Sequence, residues 1–196
     1  MITMQQIQKV SNAYDLLKLV YNTSDLTTIE LPINVDQVMS RIKGLSFSSE
    51  LSFEDWDKSG YIKVNRDINK DFQSVHLWVN PSEGEQRQRF TKAHELGHLV
   101  HDIAPKIHNI SECEKFVDKL SRNGAVNFEE RRANKFAAQL LMPLDLVKSE
   151  VNKLVEQVKR EGRTATVDEA ISRLSTIFNV STQAMGFRLK DLGYIK

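Results

Sequence analysis

Cysteine is nearly missing from this chain: Cys113 stands alone, so no disulfide can close within it, and a reducing compartment suits it. No stretch approaches the roughly 18 consecutive apolar residues that a membrane-spanning helix requires. The start, MITMQQIQKV, lacks the charged and then apolar pattern of a secretory signal. An excess of either charge is missing as well. Lys and Arg number 27 against 26 Asp and Glu, and a net charge of +1 gives no electrostatic reason to expect nucleic acid or an anionic membrane as the main partner. Internal repeats and low-complexity tracts are absent too. What is left is an ordinary soluble composition, 40% apolar and 27% charged, in 196 residues. The expectation is a cytoplasmic protein of one domain with at most a small appendage.

Ile7, Val10, Tyr14, Leu17 and Tyr21 recur at helical spacing, which predicts one amphipathic helix up to about Asn22. NVDQVMSRIKG reads as a short helix capped by Asn34 and stopped at Gly44. From Leu45 to Pro81 the runs LSFSSELSF, GYIKV and SVHLWVN are rich in β-branched and aromatic residues and are separated by turn chemistry. They predict a small three-stranded antiparallel sheet. Helices follow, over about 85–103, 127–142 (ended by Pro143) and 144–162, and then two short ones joined at NVS with Ser181 as a cap. The fold class expected is α+β, with a catalytic part at 1–143 and a helical extension at 144–196.

The stretch RQRFTKAHELGHLVHD, residues 87–102, holds three of the five histidines. His94 and His98 are four apart, so on a helix both aim an imidazole at one point, as a tetrahedral Zn²⁺ needs. Glu95, one residue round, is badly placed to ligate the same ion but well placed to act as general base on a metal-bound water. The competing reading is a solvated helix face. With so few histidines, a chance H-E-x-x-H is roughly a one-in-several-hundred event. Gly97 inside the helix costs about 1 kcal/mol relative to alanine, which calls for a reason such as close approach of another backbone.

Catalytic zinc generally takes three protein ligands. Continuation as H-E-x-x-H-x-x-G-x-x-H is excluded, because positions 101 and 104 are His101 and Ala104. His101 shares the general face, but three ligands from one straight helix surround a tetrahedral ion poorly, so a partly exposed structural role suits it better. A later helix, FEERRANKFAAQ, offers Glu129 and Glu130. Glu130 shares a face with Ala133 and Ala137, whose small side chains allow close helix packing, and is the preferred third ligand. Asn134, one turn on, is placed to hydrogen-bond a ligating histidine. Mn²⁺, Fe²⁺ and Co²⁺ also suit such a donor set. His108, Tyr61 and Arg89 are candidates for steadying an oxyanion.

RQRFTKAHELGHLVH followed by EERRANKFAAQLLMP closely resembles the ImmA/IrrE family of metallo-endopeptidases. The resemblance covers about residues 78–143 in both blocks and their order. It implies a zincin-like domain in which His94, His98 and Glu130 bind zinc, Glu95 is the catalytic base and Asn134 supports a histidine. It further implies cleavage of a helix-turn-helix (XRE-type) transcriptional repressor or an antitoxin, in a phage, mobile-element or toxin–antitoxin setting. The first 80 residues are too β-rich at their end to match the N-terminal DNA-binding domain that some relatives carry. His101 is one position out of register with the family's usual later histidine, and receives no role.

VDEAISRLSTIFNVSTQAMGFRLKDLGYI resembles a helix-turn-helix, but its second helix carries only Arg188 and Lys190, opposed by Asp191. A helical pair packed on the domain is the expectation, and direct DNA binding is not; docking of the substrate is a middle option. The rival to a zinc endopeptidase is a non-catalytic, metal-stabilised DNA-binding or toxin–antitoxin interaction module.

Overall fold

The computed structural model describes residues 1–51, 53–69, 71–108 and 128–196; Cys113 lies outside them. The N-terminal apolar run forms two helices rather than the one expected, α1 (Met4–Ile7) and α2 (Ala13–Tyr21). Asn12 causes the break. Its side-chain oxygen accepts from the backbone N–H groups of Tyr14 and Asp15, which starts a new helix in place of continuing the old one. Ile7, Val10 and Leu17 are nevertheless all buried. Asn34 caps α3 (Val35–Ser40) by accepting from the Gln37 N–H, as its position in the sequence suggests.

The three strands are β1 (Leu45–Ser48), β2 (Gly60–Arg66) and β3 (Phe72–Val79), in the order β1-β3-β2. The expected all-antiparallel sheet needs correction. β2 and β3 form an antiparallel hairpin, whereas β1 runs parallel to β3. The connection from β1 to β2 explains this. Ser48 pairs with Trp78 and Gly60 with Val79, so the connection stays at one end of the sheet and leaves a gap one strand wide. β3 fills that gap, and must then be parallel to one neighbour. Val75, Leu77 and Val79 point from β3 into the core.

Helix α4 (Glu85–His98) leaves β3 through a short loop and lies against the sheet. The two are close at Gly60, where an added Cβ would stand 2.5 Å from Thr91 Cγ2 of the helix and 2.7 Å from the Trp78 carbonyl of the neighbouring strand. Past His98 the helix widens into a π-helical turn (Leu99–Ile103) and then tightens into a 3₁₀ turn (Ala104–Lys106). Next among the described residues come α5 (Phe128–Leu141), α6 (Leu144–Arg160), α7 (Val167–Phe178) and α8 (Thr182–Asp191). Ser181 caps α8 through the Ala184 N–H, as expected. Leu146, Val147, Leu174, Phe178, Met185 and Leu189 bury into the same apolar cluster as Leu77, Leu96 and Phe136. Each such side chain contributes about 1.5–3 kcal/mol of burial, so the last helices share the core of the first.

Candidate metal centre

His94 and His98 lie one turn apart on α4, with their Nε2 atoms 3.0 Å from each other. Glu130, in the first turn of α5, places Oε2 3.2 Å from His94 Nε2 and Oε1 3.4 Å from His98 Nε2. Two ligands about 2.0–2.1 Å from a tetrahedral ion stand about 3.3 Å apart, so these three donors fit one divalent cation. Glu129, the other carboxylate weighed for this position, is outside the cluster, and so is His101. The His101 ring instead stands edge-on to Phe136, centroids 5.5 Å apart.

Gly97 explains how α5 comes so near. A Cβ there would meet Ala133 Cα at 3.0 Å and Phe136 Cβ at 3.1 Å. The helices touch backbone to backbone, between a glycine and an alanine, and that contact carries Glu130 over the two histidines.

The far side of each imidazole is also held. His94 Nδ1 donates to Asn134 Oδ1 at 3.0 Å, and His98 Nδ1 donates to Asp102 Oδ2 at 2.8 Å. Both acceptors are oxygens, so the Nδ1 atoms carry protons and the Nε2 atoms face Glu130. Asp102 is 2% exposed and its other oxygen accepts from Arg132 of α5. Sequence reasoning missed Asp102 and Arg132. The signal was a carboxylate four residues after a histidine of the motif, the spacing at which a helix brings the two together.

Glu95 is 1% exposed, and its Oε1 has no hydrogen-bond partner among the described residues. Burial pushes its carboxyl up to about 7, against the lowering effect of His94 and His98. A buried oxygen left unpartnered beside three side chains that could hold a metal ion is uncommon in a folded protein. Burial pulls the His98 imidazole down, but its bonds to Asp102 and Glu130 and the charge of Glu95 outweigh this and lift it to about 10. For Glu130, burial raises the carboxyl, and the bonds to His94 and His98 overcome that and bring it down to about 2. Without a metal, therefore, His98 and Glu130 stand as a protonated imidazole and a carboxylate.

None of the oxyanion candidates joins the cluster. Arg89 donates to the carbonyls of Ile33 and Asn179, Tyr61 stacks on Trp78, and His108 is exposed. A groove of about 1360 Å³ opens between the first half of α4, the outer face of α5 and helix α8, and its lining includes Asn134 and Phe90. Both are neighbours of His94, Asn134 through its hydrogen bond to Nδ1 and Phe90 with ring centroids 6.4 Å apart, so the groove lies beside the cluster. Sequence reasoning did not foresee it, because its walls come from three separate helices.

A comparison with curated proteins gives no match. The family model of the IrrE N-terminal-like domain, peptidase M78, matches residues 49–190, well over half of the chain. That family is one of metallo-endopeptidases with a zincin-like fold, in accord with the α+β architecture and the His-His-Glu cluster. The chain belongs to the peptidase M78 (IrrE N-terminal-like) family and is a hydrolase of peptide bonds.

Proposed function

We propose that the protein is an endopeptidase that holds zinc, or another divalent transition metal, on His94, His98 and Glu130 and cuts a helix-turn-helix (XRE-type) repressor or an antitoxin. The spacing of the three donor atoms, 3.0, 3.2 and 3.4 Å, is the observation that supports the ligand set. The substrate class rests on the resemblance to the ImmA/IrrE proteins. Residues 1–143 form the catalytic part, and 144–196 a helical extension packed on it.

A bound divalent ion supplies Lewis acidity to the scissile carbonyl and lowers the pKa of the attacking water. Glu95 is the general base. Its carboxyl sits near 7 because it is buried, so at neutral pH it accepts a proton from the attacking water and hands it to the leaving amine as the C–N bond breaks. Asn134 fixes the His94 ring through Nδ1, and Asp102 does the same for His98.

The rival reading, a DNA-binding module without turnover, loses one of its two cations. Arg188 is 5% exposed and donates to the Met142 carbonyl and the Tyr14 hydroxyl. Glu95→Gln decides between the two. Incubated with zinc and a helix-turn-helix protein encoded beside it, the variant is expected to cleave about 10²–10⁴ times more slowly than the parent. Its metal content stays unchanged. Cleavage at the parental rate sinks the assignment of Glu95.

A further inference from the structure

The groove beside the cluster has a chemical character of its own. Arg131, Asn134, Lys135 and Ala138 fall at helical spacing on one face of α5, and all of them line it. Arg131 and Lys135 are exposed, and neither has an ion-pair or hydrogen-bond partner among the described residues. The opposite wall is α8, where Phe187 is 63% exposed although it faces the groove. Other charges along the groove are mostly engaged. Arg87 lies 3.6 Å from Glu83, Arg188 is buried on Met142 and Tyr14, and Glu85 accepts from the Asn179 amide. Asp191 is the exception, at the last residue of α8 and one turn beyond Phe187.

Among the described residues, two cations without an ion-pair partner and one exposed aromatic ring line a space of about 1360 Å³. Small-molecule pockets hold roughly 300–1,000 Å³, so the groove is of a size for a length of polypeptide. Its lining includes Asn134, which is hydrogen-bonded to His94 Nδ1, and Phe90, whose ring centroid lies 6.4 Å from that of His94. We propose that this groove binds the substrate protein through a segment that sets an acidic side chain on Arg131 and Lys135 and an apolar side chain on Phe187. This inference rests on the peptidase reading and names what that site selects. It also gives α8 a function: the C-terminal extension is one wall of the substrate site.

The test uses full-length, zinc-loaded protein carrying Glu95→Gln, so that peptides bind and are not cut. The probe is a degenerate mixture of short peptides, captured on the immobilised protein and identified by mass spectrometry. Peptides with Asp or Glu close to Phe, Leu or Met are expected to be enriched about fivefold over those with Lys or Arg in the same place, the scale of two solvent-exposed ion pairs. Arg131→Glu combined with Lys135→Glu reverses the charge preference, and Phe187→Ser removes the apolar one. All three residues are at the surface, so the variants keep the fold. No enrichment, or enrichment that the variants leave unchanged, overturns the proposal. Cleavage of the captured peptides by the parent protein is read separately. Selective binding without cleavage refutes the peptidase reading and leaves the groove standing, and cleavage without selectivity does the reverse.

Discussion

At the scale of single residues, the cluster is poised between two charge states. Without metal, the raised His98 and lowered Glu130 form an ion pair inside the protein. The signs follow from each shift. His98, ordinarily near 6.5 and lifted to about 10, adds stability that is complete below 6.5 and disappears as pH climbs towards 10. Glu130, lowered from 4.5 to about 2, adds stability that is complete above 4.5 and disappears as pH falls towards 2. A metal on the proposed ligands would need the His98 Nε2 lone pair, so loading would expel a proton and strengthen as pH rises. Between pH 7 and 8 the apparent zinc affinity should therefore increase, by up to about tenfold for one displaced proton. Competition with a chromophoric chelator measures this, and an affinity flat in pH contradicts it. Asp102→Asn weakens one of the bonds that raise His98, and is expected to flatten that slope while lowering affinity by about 10–100-fold.

At the scale of elements, the meeting of α4 and α5 makes the centre, and much of it was legible. The H-E-x-x-H spacing placed His94, His98 and Glu95, and the small residues Ala133 and Ala137 beside Glu130 pointed to the second helix. Gly97 hinted at close backbone approach, and Ala133 turns out to be what approaches it. Other features were beyond the pattern. The π-helical turn after His98 leaves no mark in apolar periodicity, and the one sign of Asp102 was its place four residues after His98. Strand periodicity reports which face is buried and says nothing of direction, so β1 was read as antiparallel. Asn12 competed with a continuous apolar run, and its cap won. Gly97→Val tests the contact. The new side chain meets helix backbone that cannot swing away, so overpacking is expected to cost about 1–3 kcal/mol. Because α5 carries Glu130, zinc affinity should fall with stability. A variant that loses stability in urea while binding zinc like the parent would separate the contact from the centre.

At the scale of the whole molecule, the two ends of the chain are tied to its middle. Arg188 of α8 reaches the carbonyl that follows α5 and the hydroxyl of Tyr14 in α2. Arg89 of α4 joins the carbonyls of Ile33, before α3, and Asn179, before α8. Apolar residues of α6, α7 and α8 complete the cluster that also holds β3 and α4. Such sharing predicts that 144–196 does not melt as a separate unit, whatever its resemblance to a helix-turn-helix. Arg188→Leu probes the tie, since it preserves apolar bulk but leaves a buried carbonyl and hydroxyl without a donor, at a cost of about 1–3 kcal/mol. The loss should appear in one cooperative transition, the same by tryptophan fluorescence, which reports Trp56 and Trp78 near the sheet, and by far-ultraviolet circular dichroism, which reports the helices. Zinc affinity should stay at the parental value, because Arg188 touches none of the three proposed ligands. Peptide capture in the groove should weaken, because α8 is its wall. Two separated transitions, with the sheet signal unmoved by Arg188→Leu, would mean that the C-terminal helices stand alone, and the helix-turn-helix reading would then regain its ground.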